Sequence, residues 1–123
     1  MANEGTVIAG LSASKNGAVI NPGTNTKLVS MTGNDMAQAT VPLTTASTQL
    51  NPMGSISGAP AAVWLKNLDA TNSILISGET GFTAVFQLSI PPGQACVFTP
   101  LAATLWAKAA AATATLLYAA FEV

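Results

Sequence analysis

The sequence predicts an all-β fold, an antiparallel sandwich or barrel, on three observations. The stretch "FTAVFQLSI" (82–90) alternates strictly, with Ala84, Phe86, Leu88 and Ile90 on one face and Val85, Gln87 and Ser89 on the other. A half-buried strand requires that period of two. From residue 62 onward, short apolar segments are punctuated by turn signals roughly every ten residues, the spacing of a sandwich or barrel. Before that, "ATVPLTTASTQLN" (39–51) has the β-branched content that favours strand over helix. With 123 residues the chain is long enough for one domain that buries a real core. Residues 1–123 are therefore read as a single sandwich domain, with residues 1–15 as an extended arm.

In the first half, "TVIAGLSA" (6–13) and "TKLVSM" (26–31) are short apolar stretches in a Thr-, Asn-, Gly- and Ser-rich background. Turn signals fall at Asn16-Gly17, Asn21-Pro22-Gly23, Gly33-Asn34-Asp35 and Asn51-Pro52. Pro42 confines the start of its strand to an edge or a bulge. "GSISGAP" (54–60) reads as a flexible loop.

The second half supplies strand segments at 62–69, 72–77, 82–90, 94–99, 103–109 and 113–123. Pro91-Pro92-Gly93 lies between two of them. Proline presets the first central angle of a turn and glycine supplies the positive φ beyond it, so the triplet predicts a turn. A polyproline ligand would need a PxxP-type repeat, which is absent. Cys96 shares a strand face with Phe98 and has neither a histidine nor a cation cluster beside it, so a buried, inert thiol is expected.

The alanine-rich tail (101–123) sets propensity against pattern, because alanine is the best helix former. Lys108 and the Thr-rich middle count against a membrane span. For strands, Leu105, Ala107 and Ala109 alternate with Thr104, Trp106 and Lys108. Ala114, Leu116, Tyr118 and Ala120 alternate with Thr115, Leu117, Ala119 and Phe121. Two strands joined by a turn in "KAAAATA" (108–114) are predicted, although that is poor turn chemistry.

Composition then limits function. Half the residues are apolar and only 7% are charged, against about 25% in ordinary soluble domains. Solubility must rest on Thr, Ser, Asn and Gln, which are cheaper to desolvate than charges, so the surface suits contact with copies of itself or a large partner. The four cations, Lys15, Lys27, Lys66 and Lys108, are scattered and there is no arginine, which argues against direct nucleic-acid binding. The absence of histidine removes the commonest general base and metal ligand, and one cysteine makes no intramolecular disulfide. The start, "MANEGTVIAGLSASKNG", lacks the pattern of a signal peptide, so synthesis in a cytoplasm is expected.

Chemical motifs are few. "NLDATN" (67–72) lacks the sixth-position glycine and twelfth-position acid of a calcium loop, and Asp69 is expected to accept backbone hydrogen bonds in a turn. "GETG" (78–81) is read as a turn with Glu79 exposed. Asp35, Asp69, Glu79 and Glu122 fall in turns or at the terminus, not as a facing pair. No catalytic residue, cofactor site or metal site is predicted, and the chain is expected not to be an enzyme. Trp64 and Trp106 each lie two residues from a lysine, Lys66 and Lys108, whose outward face each is expected to share. Either the rings are contact residues, as tryptophan often is at interfaces, or each packs under a loop. Trp64, Trp106 and Lys108 are the candidate interface residues.

"VWLKNLDATNSILIS" (63–77), "FQLSIPPGQACVF" (86–98) and "LWAKAAAATATLLYAAFEV" (105–123) together resemble small virion proteins of tailed bacteriophages. In that group an aliphatic-K/R-N-x-D strand is followed by an aliphatic strand and a "PPGE"-like turn into an apolar strand. An "-(Y/W)AKA-" strand and a final strand ending in an aromatic and an acidic residue complete the series. The match spans residues 62–123, with Gln94 standing where the family often has glutamate. The resemblance implies a jelly-roll β-sandwich of about eight to ten short strands. It also implies a decoration (cement) protein on the outside of the capsid, with itself, as a homotrimer, and the major capsid protein as partners. No membrane partner is implied. Related sandwiches also serve as head-fibre bases and tail components, so a host-adhesion or carbohydrate-binding module using Trp64 or Trp106 is the alternative.

Overall fold

Alternation along each strand decides which side chains the two layers enclose. The computed structural model describes residues 5–29, 36–50, 60–82, 87–100 and 105–122. Among them lie β1 (Gly5–Lys15), β2 (Ala18–Val29), β3 (Met36–Leu43), β4 (Thr48–Gln49) and β5 (Pro60–Asn67). The series continues with β6 (Ile74–Ser77), β7 (Gln87–Ile90), β8 (Ala95–Phe98), β9 (Trp106–Ala109) and β10 (Ala114–Glu122). The turns at 33–35 and 51–52, most of the loop at 54–60, and Ala84, Val85, Phe86 and Thr104 lie outside the described residues.

Strands β3 to β10 form two four-stranded antiparallel sheets, ordered β3-β10-β5-β8 and β4-β9-β6-β7. The pairs β3·β10, β4·β9, β5·β8 and β6·β7 nest inside one another, as in a single long hairpin with β6 and β7 at its tip. The contacts β10·β5 and β6·β9 roll that hairpin into two layers. That is the strand order of a jelly roll, the fold the resemblance implies, and it lies within the antiparallel all-β class that the alternation predicts.

Between the sheets, Val63, Leu65, Ile74, Ile76, Leu116 and Tyr118 are fully buried. The tail follows its pattern and not its propensity. Leu105, Ala107 and Ala109 point into the core, as do Ala114, Leu116, Tyr118 and Ala120. Alanine's helical advantage over other ordinary residues is at most about 0.7 kcal/mol per position. Strand β10 instead hydrogen-bonds a neighbour on each side, β3 and β5. The poor turn sequence shows in the backbone, since Ala112 takes a left-handed φ of 51° between β9 and β10.

The stretch 39–51, read as one strand, divides between two over its described residues, 39–50. β3 and β4 belong to opposite sheets, separated by residues 44–47, where the Ala46 amide donates to Thr44 Oγ1 (3.2 Å). Pro42 sits on β3, an edge strand, where a missing N–H is tolerated.

β1 and β2 pair only with each other. The stretch expected as an extended arm is thus one strand of a hairpin spanning residues 5–29. Asn16 (φ 51°) and Gly17 (φ 84°) both take positive angles between the paired Lys15 and Ala18, the geometry of a two-residue type I′ turn. Nearer its root, Asn21-Pro22 on β2 oppose Ser12 alone on β1, a bulge that places Pro22 outside the regular ladder.

Candidate functional site

Three places could carry function: a polar cluster at one end of the sandwich, the outward aromatic rings, and a groove where the hairpin meets the sandwich.

The polar cluster grows from Asn67, the last residue of β5. It is in phase with the core residues Val63 and Leu65 and is fully buried. Its Nδ2 donates to the carbonyls of Ile90 (2.9 Å) and Asn72 (2.8 Å), while its Oδ1 accepts the Asp69 amide (2.9 Å). Its backbone N–H donates to Gln94 O (2.9 Å), and its carbonyl accepts the Gly93 amide (3.2 Å). The predicted turn is what it grips: Gln94 N donates to Pro91 O (3.1 Å) with Gly93 at φ 74°, a type II turn with Pro92 at the first central position.

Asp69 continues the network. Its carboxylate accepts the amides of Asn72 (2.5 Å) and Thr71 (2.8 Å) and the Thr71 hydroxyl (3.1 Å). Those amides, Asn72 first, hold the carboxyl below its ordinary range. Asn72 Nδ2 then donates to Thr113 O (2.9 Å), tying in the loop before β10. The motif Asn67-x-Asp69-x-x-Asn72 therefore fastens three loops together. Among the described residues, no three His, Cys, Asp or Glu side chains gather as a metal site. The signal that marks Asn67 in sequence is a polar residue in register with an apolar strand face.

Both tryptophans point outward, but from different sheets. Trp64 lies opposite Ala119 and Val97 on the outer face of β3-β10-β5-β8 and is 37% exposed. Trp106 is half-buried on the outer face of β4-β9-β6-β7, opposite Gln49 and Ser77. They do not form one platform. Lys108 shares the Trp106 face, and its Nζ stands 4.5 Å from the centre of the Phe82 ring, a cation–π contact. Glu79 is half-buried where an exposed side chain was expected, and its amide donates to Ser77 Oγ (3.2 Å). Cys96 is half-buried on edge strand β8 and packs with Phe98 against the core; burial pushes its thiol pKa up, away from reactivity.

The groove, of about 360 Å³, runs between the root of the hairpin (Thr6, Val7, Ile8) and the outer sheet face (Trp64, Val97, Ala119 and Phe121 among its lining). No family model, curated protein or solved structure matches the chain. Among the described residues the groove's lining is mostly apolar and wholly neutral, Thr6 supplying its one side-chain hydroxyl.

Proposed function

We propose that this chain is a non-enzymatic structural protein of a bacteriophage virion, a decoration protein that binds the outside of the capsid lattice as a homotrimer and stabilises the head. One observation carries the reading: Ile8, Leu11, Val19, Ile20, Leu28, Met36 and Trp64 are all large apolar side chains exposed on one chain with very few charges. Apolar surface of that extent marks a macromolecular contact. The jelly-roll strand order and the likeness of residues 62–123 to small virion proteins supply the kind of partner, by analogy of fold and pattern. A contact made of neutral polar and apolar groups depends little on screening, so capsid binding should survive high salt.

The test is co-pelleting of the purified chain with empty expanded capsids of its phage, followed by imaging of the decorated particle. Saturable binding at regular lattice positions that persists at 1 M salt, where the screening length is about 3 Å, is the expected result. A chain that ignores capsids but binds cell-surface glycans through Trp64 or Trp106 would replace this reading with the adhesion module.

A further inference from the structure

Beyond its root, the long hairpin packs on no other strand among the described residues. Past Val7 on β1, and until Val29 on β2, every residue is exposed. Its apolar residues lie on both faces. Ile8 follows Thr6, which faces Leu28 across the ladder, while Leu11 lies on the opposite side; Val19 and Ile20 are sequence neighbours and so point to opposite sides as well. A two-stranded ribbon with neither face covered is at best marginally stable in water. Of the eight large apolar side chains exposed among the described residues, five are on this hairpin. Two more, Met36 and Trp64, belong to the outer face of β3-β10-β5-β8, Met36 lying opposite Phe121.

That sheet face already accepts the root of the hairpin. Gly5 is buried against Phe121, so closely that a Cβ there would stand 2.6 Å from Cε2 of the ring. Above this contact the hairpin and the sheet part and leave the apolar groove, walled by the sheet on one side and by Thr6, Val7 and Ile8 on the other. An apolar ribbon entering the groove would have both of its own faces covered, one by a sheet and one by another ribbon.

We propose that the β1–β2 hairpin is an exchange arm, which packs its apolar residues into the groove between the arm and the outer sheet face of a second copy of this chain. The part of the ribbon that stands clear of its own sheet, from the Ile8–Thr26 pair to the turn, spans roughly 27 Å and is about 10 Å wide, so its two faces offer on the order of 550 Å² per partner. About 1,100 Å² in total clears the roughly 1,000 Å² that a specific interface needs. Charge selects against other occupants. Lys15 and Lys27 are the only charged residues within 5–29, too few for a polyanion and without an acid to pair a basic partner. The groove is walled by the arm's root (Thr6, Val7 and Ile8) and the sheet, whereas the arm inserts with the residues beyond that root, so the contact runs head to tail and closes into a ring when the rotation allows.

This deepens the proposed function by naming the contact that joins the copies, and it is tested with no capsid present. Two variants are compared with the full chain by sedimentation velocity across a concentration series. In one, Leu11→Asp and Ile20→Asp together spoil the arm; in the other, Trp64→Asp spoils the groove. Both sets of sites are exposed, and a cooperative melt with a β-rich far-UV spectrum establishes that each variant is folded. The parent chain should associate, and each variant should do so at least about 100-fold more weakly, because an unpaired carboxylate would be buried in the contact. An equimolar mixture of the two variants should recover dimers, since the intact arm of one meets the intact groove of the other. In a mixed sample of isotope-labelled and unlabelled parent chains, NOEs from arm methyls to the Trp64 indole should cross between chains. A parent chain that stays monomeric, an oligomer untouched by the arm substitutions, a mixture no better than its parts, or arm–Trp64 NOEs only within one chain would each overturn the proposal. Oligomers that form as described yet leave capsids bare would count against the virion role alone.

Discussion

Leu65 and Leu11 have the same side chain on the same kind of strand and opposite fates. Leu65 is fully buried between the two sheets, whereas Leu11 is 66% exposed on the hairpin. β5 is hydrogen-bonded to a neighbour on each side, β10 and β8, whereas β1 pairs only with β2 and across a bulge. The larger difference is a second layer. A sheet is stabilised chiefly by packing on its faces, and the sandwich supplies a facing sheet where the arm has none. On this charge-poor chain, residues 8–28 of the ribbon are left exposed.

Truncating the two leucines measures the contrast directly. Leu65→Ala should lower stability by about 2–5 kcal/mol through lost burial and the cavity left behind. Leu11→Ala, at concentrations where the chain is monomeric, should stay within about 0.5 kcal/mol. Denaturant melts of both variants check this, and equal losses would mean that the arm is packed in the free chain.

The next effect belongs to the polar clamp. Asn67→Ala should cost roughly 2–3 kcal/mol, because it strands the Ile90 carbonyl in the interior and frees the loops that Asn67 holds. Hydrogen exchange should then accelerate at the Gly93 and Asp69 amides, which Asn67 binds, and not along the arm.

Backbone geometry comes third. Gly93→Val should cost more than about 1 kcal/mol, since a β-branched residue resists a φ of 74°. A Cβ there would meet nothing within 4 Å, so the penalty isolates conformation from collision. Pro91→Ala should cost less, and thermal melts of the two variants would rank them.

The smallest change concerns Tyr118, which is wholly buried and whose hydroxyl has no hydrogen-bond partner among the described residues. Burial raises its phenol pKa. Tyr118→Phe removes a desolvated polar atom while keeping the ring, so stability should hold or rise by up to about 1 kcal/mol. A clear loss in calorimetry would show that the hydroxyl is bonded in solution.

Much of the sandwich was legible because period two survives in sequence. The alternations at 105–109 and 114–120 named core residues correctly despite the alanine content. The Pro91–Gly93 turn was legible because proline and glycine each have one dominant conformational reason to be there. The arm was harder to read. Asn16-Gly17 is the usual signature of a tight hairpin, but the flanking apolar residues fall on both faces and show no single buried side. Asn67 was missed as an organising residue, because its partners lie 5 and 23 residues away and no local pattern announces them.

By itself, the sequence determined the strand class, the inward residues of the C-terminal strands, the turn at Pro91–Gly93 and the charge-poor character of the surface. These depend on side-chain period, φ preference and composition, which are local properties. Tertiary structure alone decided that residues 39–50 split between two sheets, that the tryptophans face opposite ways, and that Asn67 clamps three loops. It also decided that residues 5–29 stand apart from the core with their apolar faces open. Each of these depends on which distant strands lie side by side, and pairing across the chain is set by the total burial of the folded molecule, a quantity that no single segment carries.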